Sequence, residues 1–373
     1  MSCKLNRLVL LICLIALALV LTPPSFGQNL LQQKDLGFAQ VAVGGGYETV
    51  ITLTNRGTFD YSGDLVLRRG DDGQPWNPTV DGEAITGGQV SVDIKPGETI
   101  TLRLTGDSVE SGMAALITSD LVLDNFVEGN LTYFVRSGST LTDSIGVGPS
   151  TETFLAAIPF EDFSTVALAL ANGDFRTSGA ETASVTIRLF DDAGEQVASE
   201  PLTLNPLAHS AQFLSQSCEE EVGRGKIEIS SDVPVLGTAL TFISGQLSTL
   251  PMLPSPVAYT LVMVQSDQTE LTAEMTLWAE GFFVKGYLSI YEKDGEQIEN
   301  PILTFTHGQL IDGWLDLNFF TQDEAFEDRD VSLYMTDSSF AFTDAASSGS
   351  WVATFIDDTS NRTGTFEMTR TTD

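Results

Sequence analysis

Apolar residues recur at every second position along much of the chain. Val90, Val92 and Ile94 alternate with Ser91 and Asp93, and Leu315, Leu317 and Phe319 alternate with polar positions that include Asp316. The same spacing returns at Ile100, Leu102 and Leu104 around Arg103, at Val185, Ile187 and Leu189 around Arg188, and at Ile227 and Ile229 around Glu228. It appears again at Val331, Leu333 and Met335 and at Trp351, Ala353 and Phe355. A period of two sends alternate side chains to opposite faces of an extended strand, so these runs predict strands with one buried and one wet face. Turn-forming stretches separate them: DDG at 71–73, KPGE at 95–98, DDAG at 191–194 and KDGE at 293–296. Helical spacing is nearly absent, and the pattern predicts an all-β protein.

Part of the pattern is written twice. TSDLVLDNFVEGNLTYF at 118–134 returns as SSDVPVLGTALTF at 230–242, with Gly129 five residues before Phe134 and Gly237 five before Phe242. YETVITLTN at 47–55 matches FSTVALALAN at 163–172, and VDIKPGETITLRLT at 92–105 matches LTLNPLAHSAQFLS at 202–215. Asn55/Asn172, Pro96/Pro206, Asp120/Asp232 and Gly129/Gly237 are separated by 117, 110, 112 and 108 residues. Preserved order with drifting offsets describes a duplicated domain whose loops have changed length, because loops tolerate insertion and packed strands do not. The predicted plan is a first β-sandwich over 28–148 and a second over 149–252.

These motifs resemble the tandem immunoglobulin-like sandwich repeats of bacterial secreted and surface proteins. The likeness rests on Tyr47, Thr49, Leu53 and Asn55 with Ile94, Pro96, Gly97 and Thr99, and on Phe163, Thr165, Leu170 and Asn172 with Pro206 and SSDVPV. It covers residues 36 to 252, and the second copy departs from it by carrying Leu207 where the first has Gly97. The resemblance implies a scaffold, adhesive or spacer role and carries no reaction with it.

Pro251, Pro254 and Pro256 predict an extended linker over 253–258, since proline cannot donate to a sheet ladder. Beyond it, residues 257–373 hold 17 of the 33 aromatic residues and about eight strand-like runs. This predicts an antiparallel meander over 259–373, closed as a small barrel or folded as another sandwich. GSWVATFIDD and TGTFEMTR near the end resemble the last hairpin of lipocalin-like or avidin-like barrels. Trp278, Tyr287, Trp314, Tyr334 and Trp351 are candidate ligand-binding residues if the barrel leaves an interior pocket, and core residues if it does not.

Residues 1–27 read as a secretory signal: Lys4 and Arg7, an apolar run from Leu8 to Leu21, then Pro23, Pro24, Ser25 and Gly27, with cleavage after Gly27. The run is shorter than the roughly 20 apolar residues of a membrane-spanning helix, so no transmembrane anchor is expected to remain. Cys13 lacks a lipobox, and Cys218 is the one cysteine left after cleavage, so no disulfide framework is expected. The predicted location is outside the cytoplasm, in the extracellular space, on the cell surface or in the periplasm. With a net charge of −33 the chain repels phosphate backbones, which excludes nucleic acid as an expected partner.

Candidate chemistry is sparse. His209 and His307 are the two histidines, and no nucleophile elbow, zinc-protease motif, phosphate loop or EF-hand loop occurs. In RRGDDGQPWNPTVDGE at 68–83, Asp71, Asp72 and Asp81, with Asn77 and Glu83, are oxygen ligands of the kind calcium takes, and Trp76 offers a face to a sugar ring. The competing reading is an acidic hairpin with its tryptophan packed inward. No cofactor other than Ca2+ is suggested. The sequence therefore predicts a non-catalytic exported scaffold or adhesion-type protein that contacts surface glycans, matrix or another surface protein. The alternatives are a carrier of a small apolar ligand in the C-terminal barrel and, third, an extracellular carbohydrate hydrolase with paired carboxylates.

Overall fold

The computed structural model describes residues 33–118, 127–150, 152–174, 180–217, 222–244, 246–250, 252–280, 283–311, 314–321, 329–336, 345–355 and 362–371. The signal segment with Cys13, the stretch 119–126 of the first echo, Cys218 and the side chains of His307 and Trp314 lie outside what is described. The described chain is all-β, as the alternation predicts: two sandwiches and a closed barrel.

The first module contains β1 (Gln33–Val43), β2 (Tyr47–Asn55), β3 (Tyr61–Arg69), β4 (Gln89–Ile94), β5 (Thr99–Thr105), β6 (Glu110–Thr118), β7 (Val127–Ser137) and β8 (Thr140–Val147). One layer runs β1-β6-β3-β4 and the other β8-β7-β2-β5, all antiparallel. Ile51, Leu53, Leu65, Leu67, Leu104 and Leu116 meet between the layers. The second module contains β9 (Glu152–Phe160), β10 (Val166–Ala171), β11 (Ala183–Asp191), β12 (Gln196–Leu204), β13 (His209–Phe213), β14 (Gly225–Ile243) and β15 (Gln246–Leu250). Its pairing repeats the first module strand for strand. The first half of β14 lies between β9 and β11, with β12 outside β11, as β6 lies between β1 and β3. The second half of β14 pairs with β10 and β15, and β10 with β13, as β7 pairs with β2 and β8, and β2 with β5.

Two of the echoed residues explain themselves at this point. Asn55, at the end of β2, donates from Nδ2 to the carbonyls of Phe59 and Ile94, both at 2.8 Å, and its Oδ1 accepts the Gly57 N–H. Asn172, at the matching end of β10, donates to the carbonyls of Glu181 (2.8 Å) and Leu204 (3.1 Å) and accepts the Asp174 N–H. A buried carboxamide with two donors and an acceptor thus closes the same loop in both copies, where an apolar side chain would strand carbonyls without partners. Gly129 faces Leu53 across the ladder and Gly237 faces Leu170. A Cβ on Gly129 would come within 2.8 Å of Leu36 and 3.1 Å of Leu53, and one on Gly237 within 2.2 Å of Met252 and 3.3 Å of Leu170, so each glycine stands beside the matched leucine under a second apolar side chain that leaves no room for a Cβ.

The barrel contains β16 (Val257–Gln265), β17 (Glu270–Glu280), β18 (Phe283–Lys293), β19 (Glu296–Ile311), β20 (Trp314–Thr321), β21 (Arg329–Thr336), β22 (Ala346–Phe355) and β23 (Arg362–Arg370). They form an up-and-down meander that closes when β23 pairs with β16. Pairing starts at Val257, two residues before the expected start. The proline-rich segment is extended, as its composition predicts, but it is not free: Pro254 pairs with Ala156 of β9, and the Ser255 N–H donates to the Leu155 carbonyl. Phe154 and Leu155 of β9 belong to the same apolar cluster as the barrel interior.

Replacing either clamp, Asn55→Ala or Asn172→Ala, removes two donors from buried carbonyls. Each is expected to cost about 2–4 kcal/mol in urea unfolding, with near-equal values for the two copies.

Candidate functional site

The most constructed surface in the molecule is the joint between the sandwiches. It is built on β6, whose residues from Gly112 to Thr118 are buried without alternation. Ala114 and Leu116 face the first module's own core. Met113, Ala115 and Ile117 face the other way and pack with Ala39, Val66, Ala171 and Leu236. The layer β1-β6-β3 is therefore covered on both sides, which for an antiparallel sheet means that a second body lies on the side normally left to water. The approach is close: a Cβ on Gly37 would stand 2.7 Å from Leu236 Cδ1. Ser150, in the connection between the modules, accepts the Ala39 N–H at 2.9 Å and bonds Thr238 at 2.9 Å.

Polar contacts then fix the register of the joint. The His209 N–H donates to the Gly70 carbonyl at 2.8 Å, and Asn205 Nδ2 donates to the Asp71 carbonyl at 3.2 Å. His209 Nε2 lies 2.8 Å from Gln40 Oε1 on β1, and the Gln40 carbonyl accepts the Tyr133 hydroxyl at 2.6 Å. Burial draws the His209 imidazole down to about 4 and pushes the Tyr133 phenol well up. Leu207 sits in the left-handed region at φ 64°, the place where the first copy has Gly97 at φ 74°. A β-carbon there is strained. Its side chain packs against the joint's apolar cluster, and its Cβ lies 3.0 Å from where one on Gly73 would be, so the leucine trades backbone ease for contact across the joint.

The two copies differ most at the residues that make this contact. In the second module Leu236, Ala171 and His209 stand in one row across β14, β10 and β13, and all three are buried. The same row of the first module is Glu128, Thr54 and Thr99, with Glu128 and Thr99 exposed and the two threonine hydroxyls 2.9 Å apart. On the opposite sheets, Ala115 and Val66 of the first module correspond in register to Glu228 and Arg188 of the second, which form an ion pair at 3.0 Å. Each module has both surfaces, and only the pair that meets is apolar.

The acidic hairpin of residues 68–83 belongs to this joint. Asp71 and Asp72 are exposed on the turn that receives the second module, while Asp81 accepts the Arg103 N–H at 2.9 Å. Among the described residues no group of three or more histidines, cysteines or carboxylates could hold a metal ion, so Asp71, Asp72 and Asp81 are not brought together as calcium ligands. Trp76 is 1% exposed and donates from its indole to Glu110 at 2.8 Å, so it is a core residue and offers no face to a sugar. That bond, with help from Arg69 at 2.9 Å, holds the Glu110 carboxyl below its ordinary range. Within Arg69-Gly70-Asp71, the Gly70 and Asp71 carbonyls accept hydrogen bonds from the second module.

In the barrel, one side of each strand is apolar and turned inward: Leu261, Met275, Leu277, Leu288 and Leu317 are fully buried. Trp351 is 3% exposed among them and donates to the Thr365 carbonyl at 3.1 Å. The expectation of one inward aromatic set is corrected here. Trp278 and Tyr287 stand on the outer wall, ring centroids 5.9 Å apart, with Tyr287 47% exposed; Tyr334, 41% exposed, is also outside. An eight-stranded barrel has an interior that side chains can fill or that can hold one small ligand, and these apolar side chains point into it. An apolar interior with Thr272, Glu274 and Thr276 outside is the reverse of a lipid-spanning barrel.

One open groove of about 530 Å³ lies on the second module, lined by Phe160, Glu161, Asp191, Asp192, Arg224 and Lys226 among others. Arg224 bridges to Asp192 at 3.4 Å, and the Lys226 ammonium sits 4.6 Å from the centre of the Phe190 ring. Both cations are thus engaged, one by a carboxylate and one by an aromatic face, and Asp191 accepts the Ala193 and Glu195 N–H groups.

No protein-family model, curated protein or solved structure matches the chain.

Replacing Leu236 by glutamate, the residue its counterpart position holds, buries a charge in the joint. Leu236→Glu is expected to destabilise the second module by about 3 kcal/mol or more and to raise amide exchange over residues 111–117, leaving barrel strand 271–279 unchanged.

Proposed function

We propose that this chain is an exported, non-catalytic scaffold of the adhesion type, whose sandwiches are tandem immunoglobulin-like modules and whose partner is a glycan, a matrix component or another surface protein. The observation that carries the reading is the single-use joint. Residues that could have served a cleft are spent on locking two copies of one module together, and the counterparts of Leu236, Ala171, His209, Ala115 and Val66 in the other copy are all polar. Such a device suits a protein that must hold its ends at a fixed separation. The basic start and apolar run of residues 4–21 support export, and the strongly acidic composition suits a soluble particle in a saline medium.

The outer wall of the barrel supplies the contact surface in this reading. Trp278 and Tyr287, tilted by 49° to each other, present flat amphipathic rings on a rigid support. The carrier alternative is weaker because Tyr287 and Tyr334, two of the rings expected to line a pocket, are exposed on the outside of the barrel.

The test is a glycan and matrix-protein array probed with the chain lacking residues 1–27, together with product analysis of each bound polysaccharide. Retention without cleavage is expected, and Trp278→Ala/Tyr287→Ala is expected to weaken it at least tenfold with unchanged melting temperature. Release of shortened saccharides, or an apolar molecule found by mass spectrometry in the purified protein, would contradict the proposal.

A further inference from the structure

The joint contains a titratable group placed where a proton cannot be welcomed. His209 is 7% exposed, and its recorded ring partner across the joint is the neutral oxygen of Gln40. An imidazole that donates to this oxygen from Nε2 takes its second proton on Nδ1, inside the joint. Among the described residues no carboxylate hydrogen-bonds to the ring. The charged groups on the elements packed against β13 are Arg68, Arg69, Asp71 and Asp72 on the turn at 68–73 and Glu110 at the start of β6, with Arg68 donating to the Leu67 and Gly88 carbonyls. Arg69 and Glu110 are engaged with each other at 2.9 Å, and Asp71 and Asp72 point to water. β10 and the half of β14 that pairs with it carry no charge, and Asp232, just before that half, accepts the Ser184 N–H. The row equivalent in the first module has Thr99 in place of this histidine, so the group is present only in the copy that uses the surface for docking.

We infer that the joint between the two sandwiches is an acid-sensitive hinge: protonation of His209 favours a state in which the second module has withdrawn from Gln40 and from the turn at 70–73. The reason is linkage. When the joint opens, the ring reaches water and regains an ordinary affinity for protons, so the open state binds a proton that the closed state refuses. For a group whose pKa is lowered by docking, the contribution to the closed joint is complete above about 6.5. It declines as pH falls, and levels off below about 4. With those two limits, the open-to-closed ratio rises roughly 20-fold between pH 7 and pH 5. The inference stands whether or not the chain is a scaffold, since it concerns only the joint.

The experiment is hydrogen exchange by mass spectrometry at pH 7 and pH 5 on the chain lacking residues 1–27, comparing wild type with His209→Gln. Glutamine keeps a polar partner for Gln40 and cannot charge. Peptides covering 66–76 and 205–213 report the joint, and 271–279 in the barrel serves as the internal reference. Corrected for intrinsic rates, joint opening in wild type is expected to increase on the order of tenfold or more relative to the variant, with the barrel peptide equal in both. Equal pH dependence in the two proteins would overturn the inference. Should His209→Gln fail to fold, the wild-type imidazole can be titrated by NMR: a midpoint near 4 supports the hinge, and one near 6.5 overturns it.

Discussion

One sheet buried on both faces organises the two sandwiches. β6 is flanked by β1 and β3, gives Ala114 and Leu116 to its own core, and gives Met113, Ala115 and Ile117 to the neighbouring module. Burying a second face removes further apolar surface from water at roughly 25 cal/mol per Å², a non-directional gain that could be met by many relative orientations. Direction comes from the polar contacts at its edge. The His209 and Asn205 bonds to the 70–71 carbonyls, and Ser150 beneath Ala39, are satisfied in one register. Apolar area supplies affinity between the modules and hydrogen bonds supply uniqueness.

A duplicated module with a docking surface on each side would stack without limit if both surfaces stayed apolar. Repeat proteins escape this by giving terminal repeats polar outer faces. The chain shows the same solution in two copies. Where Leu236, Ala171 and His209 are buried, the first copy has Glu128, Thr54 and Thr99; where Val66 and Ala115 are buried, the second has the Arg188–Glu228 pair. The barrel then covers the Phe154–Leu155 end of the second module and contributes no further copy of the joint.

How much of this the sequence discloses depends on how local the cause is. Strands, turns and the duplication are legible because alternation and the Asn55/Asn172 and Gly129/Gly237 matches are set within a strand or a loop. The matched asparagines even have matched partners. The joint is not legible by the same rule: GMAALIT at 112–118 breaks alternation, and an unbroken apolar run alone does not say what covers its second face. Leu207 in place of Gly97 was the one local trace, a strained residue retained where glycine would be easier. The outward placement of Trp278 and Tyr287 could have been read from parity. Trp278 falls in step with Thr272, Glu274 and Thr276, and Tyr287 with Lys285 and Ser289, while Trp351 falls in step with Ala353. Aromatic content drew attention to the barrel, and the two-residue period, applied strictly, assigns each ring its side.

Rigid docking of the two sandwiches is the claim on which the others rest, and a distance distribution addresses it directly. Spin labels on Thr101→Cys and Ser199→Cys, both exposed and one in each module, in a chain with Cys218→Ser, would be measured by double electron–electron resonance at neutral pH. A single narrow distribution is the predicted result. A broad one, spanning the range open to two modules tethered through residues 148–151, would contradict the account.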